Sequence, residues 1–243
     1  MADTVAPTGV AAPAAGTETK PKRSPGLINQ AHARALSRAE SVATSAKLTA
    51  YAPALEARDI EGEFTDTLLE DVDKGRDKAA EAVANTTAQR HAAATARREA
   101  KKLEAGLREV QIAAKQKYAR SNRIAMRDFL VGRKLNGSHA NLAQTSQTII
   151  NRAGSDKLPG FTAARVKALD TQRQAWLDAQ AAQAEAETAA IKARAELKEL
   201  VKSITDRRFV IQLAADAEWS HQEEVNGAVR KEFGLSTKRP LKV

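Results

Sequence analysis

The sequence predicts an all-α protein built on a long antiparallel helical hairpin, and three observations support that prediction. Alanine accounts for 51 of the 243 residues and aromatic residues for 4%, so methyl groups make up about half of the nominal hydrophobic content. Two stretches, 55–119 and 161–219, contain no proline and repeat small or apolar residues at alternating spacings of three and four. This spacing is typical of coiled-coil-like helices. The connection between them places residues 119 and 161 at the same end, which makes the helices antiparallel.

The segment before the first long stretch divides into a tail and a short helix. Residues 1–23 are mostly Ala, Pro, Thr and Gly, and we expect them to be disordered because they bury too little to offset the entropy of ordering. A helix is expected to start with Ser24 as N-cap and Pro25 at the first helical position, and to run to about Thr49. Pro53 is expected to end it.

Each long helix would contain about 60 residues and extend for roughly 90 Å at 1.5 Å per residue. The first seam consists of Leu68, Val72, Gly75, Ala79, Ala82, Thr86, Gln89, Ala93, Ala96, Ala100, Leu103, Leu107, Val110 and Ala114. The second consists of Leu169, Gln172, Trp176, Ala179, Gln183, Ala186, Ala190, Ala193, Leu197, Leu200, Ile204, Arg207, Ile211 and Ala214.

Both seams are small at the centre and large near their ends, so an antiparallel pairing lets the helices approach closely at mid-length. It would also bring Gln89 level with Gln183, where the two amides are expected to pair. Short helices are expected over 122–131, 140–152 and 223–233. The alternative architecture is a four-helix bundle, in which each long stretch is cut into two helices.

An internal repeat is also predicted. Five residue pairs differ by 106 positions, among them Leu36 with Leu142 and Pro53 with Pro159, and small insertions extend the match. The units would be 24–135 and 136–243, joined in one elongated domain. The second unit, with Leu158-Pro159-Gly160 before the helix and Phe233-Gly234-Leu235 after it, resembles uncharacterised Ala-rich helical proteins of bacteria. That resemblance implies a helical fold, and no activity is known for those proteins.

Charge is distributed unevenly along the chain. Residues 56–81 hold four basic and ten acidic side chains, whereas residues 90–134 hold thirteen basic and four acidic ones. A basic helical stripe of this kind binds a phosphate backbone or an acidic partner without reading sequence. The candidate contact residues are Arg97, Arg98, Lys101, Lys102, Arg108, Lys115, Lys117, Arg120, Arg123, Arg127, Arg133 and Lys134.

Catalytic and metal signatures are weak, so we expect no catalytic residue, no cofactor, no metal and no small-molecule substrate. Glu218 and His221 have the E-x-x-H spacing of di-iron carboxylate bundles, but such sites need a second copy of the motif. Ser138 and His139 are adjacent without an acidic partner, and cysteine is absent.

The expected function is therefore that of a non-enzymatic, rod-like structural or interaction protein that self-associates or docks in an assembly. The alternative is a sequence-independent nucleic-acid-binding protein that uses the basic stripe. Without a secretory signal or a run of 18 apolar residues, the protein is expected to be cytoplasmic and to lack a membrane span.

Overall fold

The structure is a computed structural model that describes residues 29–133, 135 and 138–242. The predicted tail at 1–23 and the predicted helix start at Ser24 lie outside these residues. The described part of the chain forms seven helices and no strand. They are α1 (Gln30–Ala46), α2 (Ala52–Glu56), α3 (Gly62–Tyr118), α4 (Arg123–Asp128), α5 (His139–Ser155), α6 (Ala163–Glu218) and α7 (Glu223–Glu232).

Helices α3 and α6 form the predicted antiparallel hairpin. They contain 57 and 56 residues, which makes each about 85 Å long at the α-helical rise. Asp71, near the start of α3, accepts a hydrogen bond from Arg207, near the end of α6, at 2.8 Å. Glu109, near the end of α3, accepts one from Arg165, near the start of α6, at 2.7 Å. Neither helix is interrupted, so the four-helix alternative is wrong.

The predicted seams face each other over most of their length. Ten of the fourteen α3 positions are buried and the other four partly buried, whereas in α6 seven are buried and Gln172 is exposed. The predicted amide pair is wrong, because Gln89 lies closer to Arg194, whose Nη2 donates a long hydrogen bond of 3.4 Å to its Oε1. The cause is the register of the two helices, which the Asp71–Arg207 and Glu109–Arg165 contacts define. In this register Gln89 lies opposite a point on α6 that is several residues beyond Gln183.

Large apolar side chains collect in two separate cores at the two ends of the hairpin. We call head 1 the core that α1, α2 and α7 complete around the start of α3 and the end of α6, including Leu68, Ile204 and Phe233. Head 2 is the core that α4 and α5 complete at the opposite end, including Leu103 and Trp176. Alanines and polar residues occupy most of the seam between the heads, so the molecule is a thin rod with a thicker end at each side.

The order of elements repeats along the chain. A 17-residue helix, a long helix and a short helix occur in that order twice. The long helices match at an offset of 101, which pairs Leu103 with Ile204, both fully buried. Their polar anchors match as well, since Gln111 donates to the carbonyl of Phe129 at 3.2 Å and Gln212 to that of Phe233 at 2.7 Å.

Some helices end at residues other than those predicted, because local backbone and capping interactions set their ends. Helix α1 ends at Ala46 rather than Thr49; at its other end, the Oδ1 atom of Asn29 accepts from the Ala31 amide at 3.1 Å and caps the helix. Pro53 lies in the first turn of α2, where the missing amide is tolerated. Helix α4 stops at Asp128, well before the predicted end at 131, because Leu130 takes a positive φ of 53°.

Candidate functional site

The predicted basic residues lie along the head 2 half of the rod. Seven belong to α3, and Arg120, Arg123, Arg127 and Arg133 lie in or beside α4. Lys134 lies outside the described residues. Lys117 is half-buried, and the other ten are exposed. The stripe therefore exists as a surface, with an inner part on α3 and an outer part at the end of the rod.

The inner part surrounds a shallow depression on α3. It is lined by Ala94, Arg97, Arg98, Lys101, Lys102 and Ala105. Glu99 accepts from Lys102 at 3.0 Å and from Arg98 at 3.1 Å. These hydrogen bonds, the one from Lys102 foremost, lower the pKa of Glu99. Arg97 and Lys101 form no ion pair with a described residue, so two of the four cations remain available to a partner.

The outer part combines cations with an exposed isoleucine. Asn122 caps α4, since its Oδ1 accepts from the amides of Ile124 and Ala125, both at 3.1 Å. Ala125 is buried, whereas its neighbour Ile124 is 75% exposed. We define the basic tip by the exposed residues Lys115, Arg120, Arg123, Ile124 and Arg127, whose four cations form no ion pair with a described residue.

Lys117 is already occupied. Its Nζ donates to the carbonyl of Lys157 at 3.0 Å and lies 4.9 Å from the centre of the Tyr118 ring. This residue fastens the loop before α6 to α3, so we assign it to the fold rather than to binding.

The fold adds cations that sequence reasoning missed. Lys157 and Lys167 are exposed, and Arg173 is half-buried, all near the basic end of α3. Residues 90–178 together hold 18 basic and 7 acidic side chains, a net charge of +11. The predicted antiparallel pairing was sufficient to find these residues, because it brings the start of α6 beside the end of α3.

The opposite end of the rod is acidic. We define the acidic tip by the exposed residues Glu56, Asp59, Glu61, Glu63, Glu224 and Val225. The five carboxylates form no ion pair with a described residue, unlike Glu218, which Arg58 binds at 3.1 Å, and Glu223, which Lys238 binds at 3.4 Å. Residues 29–89 and 179–242 together hold 18 basic and 21 acidic side chains, a net charge of −3.

Each tip presents one exposed aliphatic residue near the start of its short helix. Ile124 is the second residue of α4, and Val225, which is 73% exposed, is the third residue of α7. The sequence identified the acidic run at 56–81 but did not reveal this tip as a surface, because Glu224 and Val225 come from α7, far from that run along the chain.

The weak chemical motifs have structural roles. Helix α6 ends at Glu218, so the predicted E-x-x-H spacing does not continue on a helix to His221. The hydroxyl of Ser138 accepts from the Asn141 amide at 3.1 Å and caps α5. His139 stacks on Trp176 with ring centres 6.3 Å apart. Among the described residues no three His, Asp or Glu side chains are grouped as metal ligands would be.

None of the described helices combines the length and apolar character needed to cross a bilayer. Comparison with known proteins gives no match, whether to a protein-family model, a curated protein or a solved structure. The two tips and the basic face of α3 are the charged surfaces that distinguish the two ends of the rod.

Proposed function

We propose that this chain is a non-enzymatic, rod-like interaction protein whose tips dock end to end, either on further copies of itself or within a larger assembly. The observation that carries the proposal is the opposite charge of the two tips, each of which includes an exposed aliphatic residue near the start of its short helix. A partner that also carries one basic tip and one acidic tip could dock on either end of this chain.

Electrostatics favours contact between unlike tips. Two opposite charges 4 Å apart attract by about 1 kcal/mol in bulk water and by about 4 kcal/mol at the effective dielectric of a protein surface. At physiological ionic strength the attraction decays over about 8 Å, so the charges act mainly when the tips touch. Two like tips repel each other by similar energies, because their charges have the same sign. Association is therefore directed toward a head-to-tail arrangement.

The exposed aliphatic residues add a short-range contribution. Complete burial of a Val or Ile side chain contributes roughly 1.5–3 kcal/mol, and Ile124 and Val225 are about three-quarters exposed in the single chain. The tips are small compared with the roughly 1,000 Å² of a stable interface, so we expect weak, salt-sensitive association. A stronger complex would need partners that hold several tips together.

The narrow middle of the rod suits a spacer. Ala96 and Ala190 are completely buried in the seam, which allows close approach of α3 and α6, while the other faces of both helices carry solvated charge. Two continuous helices separate the tips by about 85 Å. A chain of such rods would have a regular repeat without a thick core.

The test uses two neutral tip variants. One carries Arg120→Gln, Arg123→Gln and Arg127→Gln; the other carries Glu56→Gln, Glu61→Gln and Glu224→Gln. We expect each variant alone to stay monomeric, because one tip has lost its charge. An equimolar mixture should form a dimer and nothing larger, since each variant retains one intact tip. A mixture that remains monomeric in light scattering contradicts docking of the chain on copies of itself.

A matched control carries Arg97→Gln, Lys101→Gln and Arg108→Gln. It removes the same charge from α3 while leaving the basic tip intact, so its association should equal that of the wild type. Equal loss of association in the control and the basic-tip variant would mean that net charge, rather than the tip, decides.

The second candidate function is sequence-independent binding of nucleic acid. The observation that favours it is the run of uncompensated cations on one face of α3, including Arg97, Lys101 and Arg108. Neutralising phosphates with such side chains releases counterions, so affinity should fall linearly with salt on logarithmic axes. Fluorescence anisotropy with a short DNA duplex tests this, and the α3 control variant should show both weaker binding and a shallower salt slope. Binding that is unchanged in this variant excludes the candidate.

A further inference from the structure

A surface cavity of about 430 Å³ opens on head 1, and none of its lining residues belongs to either tip. Its walls come from α1, α6, α7 and the segment that follows α7. The lining residues are Arg38, Ser41, Val42, Arg208, Gln212, Lys231, Glu232, Gly234 and Leu241. A cavity of this size is within the range of small-molecule sites.

Three cations from three different helices meet at this cavity. Arg38 comes from α1, Arg208 from α6 and Lys231 from α7, and none of them forms an ion pair with a described residue. Arg208 is half-buried. Its Nε atom is shielded from solvent and has no hydrogen-bond acceptor among the described residues. Partial burial and, secondarily, the charge of Arg38 lower the pKa of Arg208, because both disfavour the charged guanidinium.

The nearby carboxylates neutralise this group of cations only in part. Glu232 lines the cavity, but its carboxylate lies beside the Tyr51 hydroxyl, where it adds to the effect of burial in raising the pKa of Tyr51. Asp216 on α6 is bound by Arg230 and accepts from the Leu241 amide at 3.0 Å. With Glu232 counted, the lining side chains carry an excess of two positive charges, and this excess is left for an external anion.

The repeat shows that the fold does not require an arginine here. At the offset of 101, Arg208 corresponds to Leu107, which is completely buried in head 2. The neighbouring anchors Gln212 and Gln111 keep the same hydrogen bond to the short helix in both heads. Head 1 thus has a guanidinium where head 2 has a core leucine, although burying an unpaired charge is costly.

We propose that this cavity binds a phosphate group, bridged by Arg38 and Arg208 and contacted by Lys231 and the Ser41 hydroxyl. Guanidinium groups donate paired hydrogen bonds to phosphate oxygens, which gives them the geometry and charge for this ligand. The cavity is larger than one phosphate ion and has room for a small phosphomonoester. The site does not depend on docking of the tips.

The test is a titration of the full-length chain followed by thermal unfolding. Inorganic phosphate, glycerol phosphate and acetate are compared at constant ionic strength, which separates a bound anion from general screening. A ligand that binds only the folded state raises the unfolding temperature in a saturable way. We expect phosphate to do so and acetate to have a much smaller effect. Saturation by glycerol phosphate at a lower concentration would identify a phosphomonoester as the better ligand, and the reverse order would identify free phosphate.

Three variants make the test specific. Arg208→Leu introduces the residue that head 2 carries, so it should fold, and Arg38→Gln removes the second guanidinium. In both variants, the phosphate concentration that gives half of the maximal rise in unfolding temperature should increase at least tenfold. Arg34→Gln removes an exposed charge from the same helix outside the cavity and should behave as wild type. The proposal is overturned if phosphate gives no saturable shift, or if all three variants respond as the wild type does.

Discussion

Replacing Arg230 with methionine should destabilise head 1 more than any surface change. Arg230 is completely buried. Its Nε donates to the Ser236 carbonyl at 2.6 Å and its Nη2 to the Arg239 carbonyl at 3.0 Å. Further hydrogen bonds reach the Trp219 carbonyl and an Asp216 carboxylate oxygen. One guanidinium thus ties the segment after α7 to the end of α6.

The expected loss of stability comes from the buried groups that lose their hydrogen-bond partner in the substitution. Methionine replaces much of the aliphatic stem, and Met126 already occupies the corresponding place in head 2, three residues before Phe129 as Arg230 is before Phe233. Packing is therefore largely conserved, and the loss comes from the unpaired carboxylate of Asp216 and three carbonyls. Removing one partner of a buried ion pair costs about 3–5 kcal/mol, and we expect Arg230→Met to fall in that range.

The two tryptophans allow the measurement to be local. Trp219 packs in head 1 and Trp176 in head 2. In a Trp176→Phe background, urea unfolding followed by fluorescence reports on head 1 alone. Adding Asp216→Leu to Arg230→Met should recover part of the loss, because no buried charge then remains unpaired. A loss below about 1 kcal/mol for Arg230→Met alone would refute the reasoning, because that is the range of an exposed ion pair.

Two further predictions concern packing and pH. A Cβ atom at Gly106 would lie 2.6 Å from Cδ1 of Leu169, so Gly106→Ala should lower the thermal midpoint, because overpacking costs about 1–3 kcal/mol and exceeds the roughly 1 kcal/mol gained in helix propensity. Gly154→Ala, whose Cβ would meet nothing closer than 3.8 Å, should raise the midpoint, and the opposite order of the two variants would contradict the packing. A hydrogen bond from Lys78, together with its charge, lowers the pKa of Glu196 below the usual 4.5. The stabilisation from this pair is complete above pH 4.5 and is lost as the pH falls through the lowered pKa. Urea midpoints between neutral and acidic pH should therefore decline less steeply in Glu196→Gln than in the wild type, and equal slopes would contradict the assignment.

The long helices were predictable because periodicity is a local property. The alternation of three and four residues from Leu68 to Ala114 and the absence of proline were enough to predict a helix of the observed length and its buried face. Charge was predictable for the same reason, since a stripe on one helix follows directly from sequence order.

The remaining features depend on contacts between distant segments. Arginine is rarely buried, so nothing in the sequence distinguished Arg230 from the exposed arginines around it. The cavity on head 1 needs Arg38, Arg208 and Lys231 from three helices, and no single segment carries that pattern. Gln89 was assigned the wrong partner because a seam fixes which face is buried but leaves the register to the cores at the two ends.

The measurement that tests the central claim most directly is small-angle scattering combined with light scattering on the wild type, over a concentration series at low and high ionic strength. At high salt we expect a monomeric rod about 85 Å long, set by the helix rise. At low salt and high concentration the maximum dimension should grow in steps of one rod while the cross-section stays constant. A monomer under all conditions, or association that thickens the cross-section without lengthening the particle, would contradict docking of copies through the tips.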